Sequence, residues 1–575
     1  MNAEIMETIQ EKDEIKQMKK RKESRIITSD ICQRTVGRII EFVLTVVVFI
    51  LCVVVPLYAE DGYHQIGNAK FDAYRKIMIG GFGVLLVFSA VYGIFWLTSH
   101  GKKPLRLSLT DKFVLTYLIL TGLSVVSGGF FEDALWGAYG WNMGFMSQLS
   151  FVLLYLFLSR FGRHYRAILL GLCFTAAVVY GIGILHRFMI DPIGFYDGLT
   201  FEQKAQFLST LGQATWYAAF LMVTLPVGIG IFLYADHKKW RIAGGIYMAL
   251  GFCTLVTQNS DSAYFALAGV LVVFLMISCE KREMLCRFLA VLTMFFAAGK
   301  VMYLLMKIHP NPALTADFIT ELMWTSGLTW VLLIACLSLT LLLHRSAMRR
   351  MANTENIVNT EKVVNAENTA NTADIGEKTI RRIRRVVVGV VVGLMIAVVL
   401  VIYMQSRGVL PAAISKKAAS VSYLNWDDDW GNGRGRIWKF ACRIISGESL
   451  RHRIFGIGPD CFNSYVTAYH GEEAALLWGQ KQLTNAHNEW LNMLINGGIL
   501  GVISYMGIYV TAIGRFLRGR KENFMLMGIA AACVSYMCYN FFCYQQVLCT
   551  PFVFILMGIG EYILTHRENS GADAV

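Results

Sequence analysis

Residues 486–501 read AHNEWLNMLINGGILG, a His-Asn-Glu triplet at the threshold of a glycine-punctuated apolar helix. An imidazole with an ordinary pKa near 6.5 accepts a proton at neutral pH, which makes His487 the first candidate for general-base chemistry. Glu489 would orient that ring or receive substrate hydroxyls, although an acid at a helix N-terminus is also favoured by the helix dipole alone. Upstream, GNGRGRIWKF at 431–440 and the residues after it supply cations: Arg434, Arg436, Lys439 and Arg443. A guanidinium fork stays protonated and matches paired anionic oxygens. Lys439 and Arg443 stand at i and i+4, where snorkelling toward lipid headgroups explains them as well.

Immediately before these cations lies WDDDW at 426–430. Paired carboxylates hold divalent metals through oxygen, but three consecutive acids in a turn are more often solvated surface, so no metal and no cofactor is expected. Trp426 and Trp430 are candidates for stacking on sugar rings, or equally for anchoring at a membrane interface. Lys300, inside an apolar run, is costly enough there to suggest a function, with snorkelling as the plainer account. His186 and Asp261 lie near the same expected face without a partner that the sequence identifies.

The elements that must position these groups are helices. The 575 residues are 55% hydrophobic and 16% charged, with a mean hydropathy of +0.49, which excludes a string of soluble domains. Each span needs roughly 20 apolar residues, and lipid-exposed backbone must satisfy its own hydrogen bonds. The expected fold is therefore all-α, a polytopic transmembrane bundle of about fourteen spans (range about 12 to 14) carrying a small helical extracytoplasmic subdomain. Expected spans are 37–58, 77–98, 111–128, 142–159, 167–189, 213–234, 241–258, 262–279, 285–306, 320–343, 385–404, 489–513, 524–543 and 547–564.

The formal charge of +13 is topological. Basic residues cluster in alternate short loops, such as Arg160, Arg163 and Arg166 or Arg515, Arg518, Arg520 and Lys521, while the intervening loops are acidic or nearly uncharged. This positive-inside pattern holds both termini in the cytoplasm and argues against nucleic acid as the partner. Residues 1–36 lack the apolar core of a signal peptide. A ten-span bundle at 37–343 is followed by an Asn/Thr/Glu-rich segment at 344–384, expected to be a disordered basic cytoplasmic linker. A span at 385–404, an extracytoplasmic segment at 405–488, about three spans at 489–564 and a tail at 565–575 complete the chain. Most of the thirteen cysteines fall in spans as small apolar residues. Cys442 and Cys461 lie in the extracytoplasmic segment, where the sequence leaves a bridge between them open.

GNGRGRIWKF, then IFGIGPDCF at 454–462, then AHNEWLNMLINGGILG together resemble the O-antigen ligase and Wzy-type polysaccharide polymerase superfamily in order and spacing. DALWGAYGWNMGFMSQLSF at 133–151 and GQATWYAAFLMVTLP at 212–226 resemble its weaker segments, so the likeness extends over about 130 to 560. One departure is NSDSAY at 259–264, where members often carry Ser-Arg-Gly.

The resemblance implies a plasma-membrane glycosyltransferase taking a glycan from a polyprenyl (undecaprenyl) diphosphate carrier to an acceptor hydroxyl at the outer face. It would be metal-independent, with inversion if displacement is direct. The acceptor is a glycan, lipid or wall polymer, so polymerase and ligase stay equally open. Such a reaction needs a base for the hydroxyl and cations for the departing diphosphate. His487 with Glu489 meets the first need. Arg434, Arg436 and Lys300, the last in place of the missing arginine, meet the second. A multispan transporter or flippase of lipid-linked glycans is the alternative, though it leaves the asymmetric outer segment without a purpose.

Overall fold

The computed structural model describes residues 2–98, 106–311, 316–358, 366–419, 421–520 and 523–572. They form an all-α multi-pass bundle with one two-residue hairpin, Phe207–Leu208 against Gly212–Gln213. Ten of the described helices are long and apolar enough to cross a membrane. The four remaining expected runs fall on Phe145–Phe161, Lys238–Leu255, Met525–Tyr539 and Thr550–Ala572, which are shorter or less apolar.

Close approach of small residues and buried hydroxyls hold the bundle together, as expected where lipid removes the hydrophobic drive between helices. The central helix Ala214–Tyr234 is enclosed on nearly all sides. Its Gly230 packs directly on Gly528, where an added Cβ would meet Gly528 Cα at 2.6 Å. Beside it, Tyr509 Oη donates to Tyr505 Oη (3.0 Å), Tyr505 and Tyr536 hydroxyls meet at 3.1 Å, and Tyr536 meets Thr550 Oγ1 at 2.9 Å. Charges in this interior are paired, Arg160 with Asp111 and Arg515 with Glu561, each at 2.7 Å, which offsets the cost of burying them.

Lys70 has no acid beside it among the described residues. Its fully buried ammonium donates to the carbonyls of Val55 (3.1 Å), Pro56 (3.0 Å) and Tyr58 (2.7 Å), closing the C-terminal end of Asn2–Leu57. Each acceptor left without a donor costs about 1–3 kcal/mol. Lys70→Met is therefore expected to lower the thermal midpoint of the detergent-solubilised protein, and an unchanged melting curve would show that the carbonyls find other partners.

Two expected boundaries shift. The run expected at 320–343 is two helices, Phe318–Thr325 and Gly327–Val358. The break falls at Ser326, where the Lys300 ammonium takes the Trp324 and Ser326 carbonyls. In the segment expected as a linker, helix continues to Val358 and resumes from Ala366 to Ser406, since propagating a helix that a span has already nucleated costs little. Residues 359–365 lie outside the described ones.

At one end of the bundle a second core forms. Phe440, Ala441 and Ile444 from Trp430–Gly447 pack with Ile457, Phe462, Val466 and Ala486, and with Val125, Ala134 and Ile495 from the bundle. Cys461 lies within this core and Cys442 is exposed, both as free thiols.

Candidate functional site

The helix Glu489–Gly519 bends at Gly498, whose φ of 66° and ψ of −173° break the hydrogen-bond ladder. The freed carbonyls of Ile495 and Asn496 accept from Ile457 N (3.1 Å) and Gly458 N (2.9 Å), the turn residues of IFGIGPDCF. Two sequence motifs are thereby one structural unit. Gly456 fits here only without a side chain, because an added Cβ would lie 2.1 Å from Asn496 O. The next polar residue of the turn, Asp460, accepts from Ala138 N and Met143 N, each at 2.9 Å, and so fixes the loop before Phe145–Phe161. Burial pushes its carboxyl up to about 7 against those two donors.

His487 stands just outside that helix in the left-handed region (φ 47°), its N–H donating to Asn485 Oδ1 at 2.9 Å. Asn488 caps the helix, its side-chain oxygen accepting from Trp490 N and Leu491 N. The His487 ring packs edge-on to Tyr544 (5.4 Å), and Tyr544 packs on Trp141 of the loop held by Asp460 (4.7 Å). The imidazole makes no hydrogen bond to any described residue. Burial, and then the charge of nearby Arg434, lower its pKa to about 4.

Arg434 reaches this place because Gly431, Asn432 and Gly433 take three successive left-handed conformations, φ 60°, 61° and 84°, which glycine and asparagine tolerate best. Its Nε donates to Phe542 O (3.2 Å) and its Nη1 to Gly431 O (2.7 Å). No ion pair with a described carboxylate is present, which leaves Nη2 for an anion.

The other sequence candidates are arranged differently. Glu489 is buried. Its Oε2 accepts from Gln545 N (2.9 Å) and its own N–H donates to Asn540 O (2.8 Å), so it secures the 540–549 loop and has no hydrogen bond to His487. Beside it lies a cavity of about 40 Å³ shared with Asp460, Tyr117, Gln148 and Gln545, room for about three waters. Arg436 pairs with Asp428 (3.8 Å) and Asp429 (3.6 Å), and Lys439 with Asp428 (2.8 Å), so the aspartate run is matched by cations of the next helix. Lys300 is engaged with the two carbonyls that end Phe318–Thr325. Trp430 is buried among Trp426, Trp438 and Phe542, whereas Trp426 lines a groove with Trp438 and Trp490. Tyr423 hydrogen-bonds Asp261 (2.8 Å), and Asp191 holds His186 (3.1 Å).

Sequence reasoning missed Tyr544, Gln545, Asn540 and Asp460. It also passed over Arg187, fully buried next to NSDSAY with its guanidinium donating to Ala205 O (2.7 Å) and Gln258 O (3.0 Å). The signal for Arg187 was a cation at the end of an apolar run, which is usual enough to be ignored. The 540–549 residues gave none, since all but 544–546 were assigned to the two apolar runs on either side.

Residues 322–506 match the family model for O-antigen ligase. Over this part of its length the chain is similar to O-antigen ligase. The match takes in Arg434, Asp460, His487 and Glu489 and stops short of the 540–549 loop that packs on them. A comparison with curated proteins finds no match. With ten described helices long and apolar enough to cross a membrane, the match supports a multi-pass membrane protein of the glycan-processing, O-antigen ligase type.

Proposed function

We propose that the protein transfers or polymerises a glycan from a polyprenyl diphosphate donor onto an acceptor hydroxyl at the outer face of the plasma membrane. One observation carries this reading: an imidazole with no hydrogen bond to any described residue stands within the field of a guanidinium with no described carboxylate partner. The imidazole takes the proton of the acceptor hydroxyl as its oxygen attacks the anomeric carbon. The bond from that carbon to the diphosphate oxygen breaks, and the diphosphate leaves with the electron pair toward Arg434. Direct displacement inverts the anomeric centre. A diphosphate leaves readily, so the protein needs to supply no strong acid.

Purified protein in detergent, given the native lipid-linked repeat, is expected to form product and release polyprenyl diphosphate in equal amounts, with activity surviving a chelator. Failure to convert donor without a membrane, alongside translocation in vesicles, would favour transport. In the same assay Arg434→Ala should lower kcat/KM for the donor by about ten- to hundredfold, the worth of a hydrogen bond to a charged group. Arg434→Lys should recover only part, because an ammonium is a point charge without the planar fork. Equal activity of all three proteins would remove Arg434 from the site.

Sidedness is tested by Cys442, exposed on the helix that carries Arg434. A membrane-impermeant maleimide added to intact cells should label it, and protection by Cys442→Ser identifies the residue. Labelling that requires permeabilised cells would put the site on the cytoplasmic side and reject the proposal.

A further inference from the structure

Asp460 and Glu489 share the cavity of about 40 Å³ behind the histidine. Asp460 receives both of its backbone donors, Ala138 N and Met143 N, on Oδ2, and Glu489 receives Gln545 N on Oε2. The other oxygen of each carboxyl has no hydrogen-bond partner among the described residues, and no described lysine, arginine or histidine lines the cavity. Asn496 lines it too. Its carboxamide is 5% exposed and makes no hydrogen bond to any described residue at either end, which leaves a buried oxygen unmatched. With neither end tied, the amide can turn that oxygen toward the cavity. A buried anion without a partner is costly, and three unmatched oxygens around room for about three waters call for a positive charge supplied from outside the chain. A single proton would neutralise one carboxyl and leave the other, and the amide oxygen, unmatched.

We infer that this cavity binds a monovalent alkali cation, sodium or potassium, through Asp460 Oδ1, Glu489 Oε1, Asn496 Oδ1 and water. Divalent ions fit it less well. Calcium takes six to eight oxygens, often with a bidentate carboxylate, and each carboxylate here has one oxygen committed to the backbone. Magnesium keeps a rigid octahedron with several waters, more than the space holds. An alkali cation exchanges its hydration shell for a mixed set of oxygens and is untouched by a chelator. The ion joins the two walls behind His487. Asp460 fixes the loop of Trp141 and Glu489 the loop of Tyr544, and those two rings pack at 4.7 Å with Tyr544 against the imidazole. Binding at this site does not depend on the transferase reading, whereas its effect on rate rests on it.

The test uses full-length protein in detergent, exchanged into choline chloride and titrated with sodium chloride or potassium chloride at constant total chloride. The thermal midpoint is expected to rise by about 2–4 °C and to saturate with at least one of the two salts, since a ligand of the folded state alone stabilises it. Asn496→Leu removes one ligand together with an unmatched amide. In choline it should melt no lower than wild type, while the half-saturating salt concentration rises about tenfold, the worth of one contact to a charged group. Glu489→Gln keeps an oxygen for Gln545 N but removes the charge, and it should abolish the response. A wild-type midpoint indifferent to both salts would overturn the inference and leave the cavity to protons and water. An unaltered response in Asn496→Leu would overturn it as well, by placing the ion elsewhere. Where Glu489→Gln fails to fold, Asn496→Leu decides alone. The transfer rate at saturating donor should rise with the same half-saturating concentration, and a rate independent of salt beside a saturating midpoint would overturn the bracing role. Protein that transfers nothing in any salt fails the transferase reading separately, and the midpoint still decides the ion site.

Discussion

Replacing His487 by alanine is expected to reduce glycan transfer by about 10²- to 10⁴-fold, the usual worth of a positioned general base, while the protein still inserts and lipid-linked donor accumulates. The ring makes no hydrogen bond to any described residue, so its loss orphans nothing, and its backbone at φ 47° suits histidine only somewhat better than alanine. Activity and stability should therefore separate. The pH dependence follows from the same environment. Burial and the Arg434 charge hold the imidazole pKa near 4 in the free protein, so the base form persists well below the ordinary value. The acid limb of kcat/KM, which reports the free enzyme, should fall near pH 4. Bound diphosphate neutralises Arg434, removing one of the two causes, so the acid limb of kcat should lie higher, toward 6.5. For folding the sign is fixed as well. The unfolded chain binds this proton more tightly, so the contribution is complete above about pH 6.5 and is lost as pH falls toward 4. Unchanged polymer formation by His487→Ala would remove the base from the mechanism.

Gly498→Ala should disrupt the fold of this part of the protein. A φ of 66° with ψ −173° belongs to a region that is almost exclusively glycine's, with strain of order 1–3 kcal/mol for other residues. The new Cβ would also lie 2.4 Å from Ile454 C and O and 2.7 Å from Gly456 N. Those are backbone atoms of the interlocked turn, which cannot give way without breaking the bonds to Ile495 and Asn496. Overpacking adds about 1–3 kcal/mol. Loss of most folded protein, and of transfer in what remains, is expected. Gly497→Ala is the control, since its nearest neighbour is the flexible Met493 Sδ at 3.1 Å. Similar thermal midpoints for the two variants would contradict the interlock.

Much of the bundle was legible because burial in lipid demands long apolar runs, and the runs coincide with helices. His487 and Arg434 were singled out by the motifs they sit in, since an interfacial histidine and a headgroup-binding arginine would account for each of them alone. What stayed hidden depends on contacts across the fold. Glu489 looks like a partner for the histidine two residues before it, yet it bonds Gln545, which is 56 residues away. Trp438 was not singled out, and only the packing of Phe541 and Phe542 against it shows the aromatic cluster it belongs to. Lys300 reads as a phosphate ligand or a snorkelling cation. It ends a helix instead, a role that requires the break at Ser326 to be known. Asp460 was passed over as part of a Gly-Pro turn, although its two bonds to the loop of Trp141 place it behind the histidine.

The order of synthesis gives the interlock at Gly498 a temporal meaning. The turn at 454–462 leaves the ribosome before residues 495 and 496, whose carbonyls it must bind, and before Ile495, against which Ile457 and Phe440 close their core. Until that later helix is in place, about eighty residues wait with their apolar side chains uncovered, a condition that invites chaperone binding or proteolysis. Nascent chains halted before residue 489 should thus carry this segment in a protease-sensitive form, and completion of the next span should be the event that protects it.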